Sequence, residues 1–80
     1  MFRSDIEQGI LEALGRFQSL DFEGLVHQVL NRDSNWSEAN ETVMRGLLAK
    51  LRAEGKIVSA EGIYGAHMLA PAMNRVKQEA

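Results

Sequence analysis

The sequence predicts a mainly helical α+β domain in which three helices precede a small two-stranded hairpin. Three observations predict this fold class. Apolar residues recur at helical spacing in three successive segments. Gly55 then follows the third segment, where a helix commonly ends on a glycine. Two short apolar stretches separated by a Gly-bearing turn come next, which is typical of a hairpin.

The first helix is expected to begin at Ser4, because Ser4 and Glu7 have the spacing of a capping box. An apolar stripe at helical spacing follows and is expected to be buried: Ile6, Ile10, Ala13, Leu14 and Phe17. Gly9 lies on the same face, so we expect it to let another helix approach closely, whereas Gly15 weakens the end of the helix.

The second helix is expected to begin at Asp21, an N-cap residue flanked by Leu20 and Leu25 in the positions of a hydrophobic staple. Its apolar face consists of Phe22, Leu25, Val26, Val29 and Leu30. The polar stretch 31–37 is typical of a loop. A minimal strand over residues 18–20 would fit before this helix, although the pattern alone does not predict one.

The third helix is expected to begin at Ser37 or Asn40 and to end at Gly55. Its predicted buried side carries Val43, Met44, Leu47, Leu48 and Leu51. Residues 56–59 and 63–69 are the predicted strands, with a short loop over 60–62 between them and Gly65 as a candidate bulge. We place one domain at 1–69 and a tail, flexible or a short helix, at 70–80, since Pro71 marks a boundary.

The composition of the chain limits the classes of function that it can have. The 80 residues are 45% apolar, enough for one modest core. No cysteine is present, no apolar run is long enough to cross a membrane, and no signal-peptide pattern is found, so we expect a cytoplasmic protein. The formal net charge of −2 argues mildly against strong non-specific binding to nucleic acid, but residues 45–58 carry four basic residues against one acidic residue, or +3.

The most specific part of the pattern is Thr42-Val43-Met44-Arg45, then Leu47 and Leu51, then the segments 54–58 and 62–64. In this order the chain resembles the winged helix-turn-helix superfamily over about residues 4–69. The resemblance implies that the third helix reads duplex DNA in the major groove and that the hairpin is the wing. Carried over by position, the DNA-binding residues would be Ser37, Asn40, Thr42, Arg45, Arg52 and Lys56. Such a protein would regulate transcription or assist replication, and a homodimer formed through the tail or the first helix would suit that role.

A second interpretation is a winged helix that recognises a protein and does not bind DNA. The expected wing tip carries Glu61, and the first turn of the third helix carries Glu38 and Glu41, so the surface expected to face DNA has mixed charge. Small residues also recur along that helix, where they would admit a partner or be merely exposed. The candidate partner-binding residues are Trp36, Thr42, Gly46, Ala49 and Ala53. For Trp36, packing over the second and third helices is expected, and exposure as a binding anchor is the alternative.

No catalytic motif or phosphate-binding loop is found, so an enzyme, a cofactor and a small-molecule substrate are not expected. His27 and His67 have no acidic or thiol companions at ligand spacing, so we expect them in surface or structural roles and predict no metal site. Tyr64 is expected to pack within the hairpin, with its hydroxyl at the edge.

Overall fold

A computed structural model describes residues 2–31 and 36–71 of the chain. It comprises three helices followed by a two-stranded antiparallel sheet, an α+β arrangement as predicted. Helix α1 is Arg3–Phe17, α2 is Phe22–Leu25 and continues directly as a π-helical segment, Val26–Leu30, and α3 is Glu38–Ala53. Strands β1 and β2 are Ile57–Ser59 and His67–Leu69.

Helix α1 begins one residue before Ser4, and the predicted capping box is wrong. Phe2 is the N-cap residue: its backbone is extended, and its carbonyl accepts the amides of Asp5 and Ile6 at 3.0 and 3.1 Å. Ser4 therefore lies inside the first turn, and no side chain caps the helix. Because the Phe2 side chain has no hydrogen-bond acceptor for the free amides of the first turn, this helix begins with less stabilisation than a Ser cap would supply.

The buried stripe of α1 is confirmed except at its last residue. Four of the five predicted residues are buried, and Phe17 is 43% exposed, with the Arg16 guanidinium 5.9 Å from its ring centroid. The helix ends at Phe17, and Gln18 turns the chain with a φ of 68°. After that turn Leu20, not Phe17, packs against the core.

Helix α2 begins as predicted, because the Asp21 carboxylate accepts the amide of Gly24 at 2.8 Å. All five apolar residues of its predicted face are buried. The π-helical segment presses Val29 into α1, where a Cβ on Gly9 would lie 2.9 Å from Val29 Cγ1. Gly9 is therefore needed for the close approach of the two helices, as predicted.

Helix α3 has both of its predicted ends. The Ser37 hydroxyl accepts the amide of Asn40 at 3.0 Å. At the other end Gly55 has a φ of 76°, and the amides of Gly55 and Lys56 donate to the carbonyls of Arg52 and Leu51. These two bonds form a Schellman motif, which requires the left-handed conformation that glycine adopts at little cost.

The hairpin pairs Ile57 with Leu69 and Ser59 with His67, and its return strand is shorter than predicted. The predicted strand over 63–69 is wrong before His67, and Gly65 is not a bulge. Gly62 has a φ of 84° and its carbonyl accepts the Gly65 amide, so residues 60–66 form a loop, here called the hairpin loop. The residue that fixes this loop is His67.

His67 joins three separate segments of the chain. Its backbone exchanges two hydrogen bonds with Leu20, at 2.8 and 3.1 Å, which is the minimal strand contact that the pattern did not predict. Its ring is 1% exposed. Ring Nε2 donates to the Ile63 carbonyl at 2.6 Å, and the Ser59 hydroxyl lies 2.5 Å from Nδ1 and donates to it in the neutral ring. The structural role expected for His67 is confirmed.

One hydrophobic core unites α1, α2, α3 and β1. Its buried members are Ile6, Ile10, Ala13, Leu14, Phe22, Leu25, Val26, Val29, Leu30, Met44, Leu47, Leu48, Leu51 and Ile57. Val43, predicted to be buried, is partly buried against this core. Ala70 is also buried and its amide donates to the Lys56 carbonyl, whereas the predicted tail from residue 72 onward lies outside the described residues. Among the described helices, none combines the length and the apolar character that a membrane span requires.

Candidate recognition surface

The first turn of α3 uses the predicted contact residues for its own structure. The Ser37 hydroxyl is occupied as the N-cap of α3, and the residue is partly buried. Asn40 is partly buried too, and its amide is the one that Ser37 accepts. A hydroxyl that already accepts the Asn40 amide is a weak candidate for a phosphate contact, although it can still donate.

Arg45 does not project freely from α3. Its guanidinium pairs with Glu41 at 3.3 Å, donates to Thr42 Oγ1 at 2.9 Å and lies 6.0 Å from the ring centroid of Phe22 in α2. The Arg45 side chain is 35% exposed. These contacts direct it towards α2 and neutralise its charge locally.

Carboxylates also face two cations near the end of α3. Lys50 pairs with Glu7 of α1 at 3.2 Å and with Glu54 at 3.5 Å, while Lys56 pairs with the same Glu54 at 3.5 Å. Arg52 is different, because it is exposed and no ion pair or hydrogen bond joins its side chain to another residue within the described ranges. The excess of positive charge predicted for residues 45–58 is therefore largely balanced by neighbouring carboxylates.

Exposed ion pairs of this kind are worth only about 0–1 kcal/mol each, so a phosphate could displace a carboxylate from its lysine at little cost. The displaced carboxylate nevertheless remains covalently fixed within a few ångströms of the incoming phosphate, and the two negative charges repel each other. The pairing would therefore disfavour contact with a phosphate mainly through this repulsion and not through the cost of breaking the pairs.

The row of small residues along α3 is exposed. Thr42, Gly46, Ala49 and Ala53 all face solvent, and Thr42 is engaged by Arg45. A Cβ on Gly46 would meet no atom of the described residues within 4 Å. Packing inside the described domain therefore does not explain why a glycine, which costs about 1 kcal/mol relative to alanine in a helix, stands there.

A groove between α2, α3 and the hairpin loop was not predicted from the sequence. This aromatic–acidic groove, of about 340 Å³, is lined by Asp21, Phe22, Glu23, Val26, Glu41 and Tyr64. The Phe22 and Tyr64 rings meet edge to face, with centroids 5.1 Å apart and planes at 69°. Tyr64 is 66% exposed, so the expectation that it packs inside the hairpin is wrong: it reaches across to α2 instead.

Trp36 is connected to this groove by a hydrogen bond to Glu41, which is one of the lining residues. The indole Nε1–H donates to Glu41 at 2.6 Å, and the side chain is 51% exposed. The expected packing over the second and third helices is therefore wrong, and the alternative of an exposed aromatic side chain is the one observed. The capped start of α3 places Glu41 within reach of both Trp36 and Arg45.

The groove carries an excess of negative charge. Asp21, Glu23 and Glu41 supply three carboxylates, and Arg45 beside Phe22 supplies one guanidinium, which leaves a formal charge of −2. Asp21 and Glu41 hold internal hydrogen bonds, whereas Glu23 is exposed and makes no ion pair with any residue that the structure describes. Aromatic ring surface bordered by carboxylates is suited to a cation rather than to an anion.

Among the residues described, no three His, Asp or Glu side chains are grouped so that they could hold a metal ion. Comparison of the chain with protein-family models, with curated proteins and with solved structures finds no match.

Proposed function

We propose that this chain is a non-enzymatic protein-recognition module with a winged-helix arrangement. The order of three helices and a hairpin, with α3 exposing one full side, supports that arrangement. The absence of cysteine suits a reducing compartment, so we place the module in the cytoplasm. Like the fold assignment, this location is part of the proposal.

The observation that carries the proposal is the pairing of the cations on and next to α3. Arg45, Lys50 and Lys56 all lie within 3.5 Å of a carboxylate of the same chain. A duplex carries a dense row of phosphates, and affinity for it depends on the number of phosphates that basic side chains neutralise. A surface on which carboxylates accompany most of the cations favours a protein partner of mixed polarity.

Exposed aromatic side chains support the same function. Trp36 and Tyr64 each leave more than half of their surface in solvent. Tyr and Trp are enriched among the residues that dominate binding energy at protein interfaces, because they bury large area at a small entropic cost. Both are held by a specific contact, with Glu41 and with Phe22, and are therefore partly ordered before a partner arrives.

The test is capture of a partner by the immobilised full chain from a lysate of its source, with and without nuclease. We expect a protein that remains bound after nuclease treatment and after addition of excess duplex DNA. A captured set that disappears with nuclease would contradict the proposal, because it would be held through nucleic acid.

Duplex DNA binding by α3 is the second candidate, and Arg52 favours it. Arg52 is exposed, its guanidinium is unpaired with any described residue, and it lies in the last turn of α3, four residues before Lys56. If α3 binds duplex DNA, Arg52 would be its main phosphate contact, since Arg45 is directed towards α2. One unpaired cation gives about one phosphate contact and a shallow dependence of affinity on salt.

The exposed row of small residues offers a separate test within the leading proposal. Replacing Ala49 with Leu adds volume without charge, so a partner packed against that row is lost while duplex binding changes little. Retention of both activities in a folded Ala49→Leu variant would mean that the partner uses another part of the surface.

A further inference from the structure

We propose that the aromatic–acidic groove receives a cationic side chain, arginine or lysine, from a segment of the partner protein. This inference rests on the proposed function, since it specifies the partner of the same module. It commits to a protein segment and not to a nucleic acid, because three carboxylates line the groove.

The aromatic part of the groove is preorganised for a cation. Phe22 is fixed in the core at 6% exposure, and Tyr64 stands against it edge to face with 66% of its own surface in solvent. Arg45 already places a guanidinium 6.0 Å from the Phe22 ring centroid, so this aromatic cluster already holds one cation of the chain itself. A second cation entering the groove meets the exposed Tyr64 ring, where cation–π attraction is available.

The charge of the groove selects the sign of the occupant. Glu41 is shared between Trp36 and Arg45, and Asp21 accepts the Gly24 amide, so these two carboxylates are held in position. Glu23 is the carboxylate left to pair with an incoming group. An arginine entering beside Tyr64 would form a charge-assisted hydrogen bond with Glu23, stronger than a bond between neutral groups.

The size of the groove limits the occupant to a side chain. A volume of about 340 Å³ lies at the lower end of ligand-binding pockets, which hold roughly 300–1,000 Å³. Val26 and the two rings supply apolar surface for the methylene stem of arginine or lysine, while the carboxylates meet its charged end. A helix of the partner would instead require an extended apolar trough.

The test is a titration of the ¹⁵N-labelled full chain with a blocked tripeptide, acetyl-Ala-Arg-Ala-amide. Binding is monitored through the amide chemical shifts of the protein. The matched probe replaces arginine with citrulline, which has the same shape and no charge. We expect saturable shifts at the amides of Glu23, Glu41 and Tyr64 with the arginine peptide, and about tenfold weaker binding of the citrulline peptide.

Two variants and their controls locate the site. Glu23→Lys should abolish the shifts, whereas Asp5→Lys, an equal charge change in the first turn of α1, should not. Both take the formal net charge from −2 to 0, because each exchanges one negative charge for one positive. Tyr64→Ala should weaken binding several-fold, and Tyr64→Phe, which keeps the ring, should bind as the wild type does.

Equal binding of the two peptides, wild-type binding by Glu23→Lys, or no shift with either peptide would each overturn the assignment of the groove. The proposed function fails by a different result, the loss of the captured protein after nuclease treatment. If a nuclease-resistant protein partner binds the Glu23→Lys variant as tightly as the wild type, the proposed recognition function is retained. The interface then lies outside the aromatic–acidic groove.

Discussion

Removal of the His67 imidazole should loosen the hairpin loop, because this ring connects the loop with both strands. In a His67→Leu variant, the Ser59 hydroxyl and the Ile63 carbonyl both lose their partner. The backbone bonds of residue 67 to Leu20 remain available, so the loss is confined to the two ring contacts. The perturbation therefore tests these side-chain bonds separately from the strand pairing.

The magnitude follows from the burial of the groups left behind. A buried group without its partner costs about 1–3 kcal/mol, but Ser59 and Ile63 are only partly buried, and water replaces part of what is lost. We expect the free energy of unfolding to fall by about 1–3 kcal/mol in total. For 80 residues the whole stability is about 4–12 kcal/mol, so this loss is a large fraction.

The assay is a double-mutant cycle of His67→Leu and Ser59→Ala, measured by urea denaturation. Far-ultraviolet circular dichroism is the appropriate signal, because the single Trp is half exposed and reports poorly on the core. We expect a coupling free energy of about 0.5–1.5 kcal/mol. Amide exchange at Ala60, whose N–H donates across the loop to Ala66, should also rise, whereas exchange at Lys56 should not. Additive effects within about 0.3 kcal/mol would refute the bond between Ser59 and His67.

Three further predictions concern the core and the helix ends, each measured by urea denaturation. Leu47→Ala, at a fully buried position, should cost about 2–4 kcal/mol, and an unchanged midpoint would mean that α3 is wrongly placed. Gly9→Ala should destabilise by about 1–3 kcal/mol because its Cβ would lie 2.9 Å from Val29, whereas Gly15→Ala, with its nearest contact at 3.9 Å, should stabilise by up to about 1 kcal/mol. Phe2→Ser should stabilise by about 1 kcal/mol by capping α1, since Phe2 is 78% exposed and loses little packing; a destabilised variant would contradict the assigned cap.

Features that depend on neighbouring residues could be predicted from the sequence. The caps at Asp21 and Ser37 each accept an amide three residues on. The left-handed turn at Gly55 lets the amides of Gly55 and Lys56 donate to carbonyls three and five residues back. The role of Gly9 in close helix packing was also predicted, because the helical spacing places Gly9 on the apolar face of α1. These signals lie within one helical turn of the residue that they affect.

Features that depend on distant residues could not be predicted. The return strand is short because the ring of His67 holds the Ile63 carbonyl, and no periodicity in 63–69 indicates that bond. The aromatic–acidic groove draws its lining from three segments, represented by Asp21, Glu41 and Tyr64, which only the tertiary fold brings together. A weak signal existed in Tyr64, an aromatic residue in a Gly-rich loop, but its partner Phe22 lies 42 positions away in the sequence.

The central claim is that carboxylates of the chain pair with most of the cations on and next to α3. The binding of duplex DNA, measured by fluorescence anisotropy, tests this claim most directly. A labelled pool of random-sequence duplexes at low salt should give no saturable binding with the wild-type chain or with the control Glu12→Gln. Glu54→Gln should bind measurably, because it removes the carboxylate that Lys50 and Lys56 share, and each new phosphate contact should add about 0.9 to the slope of log affinity against log salt. Tight, strongly salt-dependent binding by the wild type that Lys50→Ala or Lys56→Ala weakens would contradict the account, because the paired cations would then be contacting phosphates.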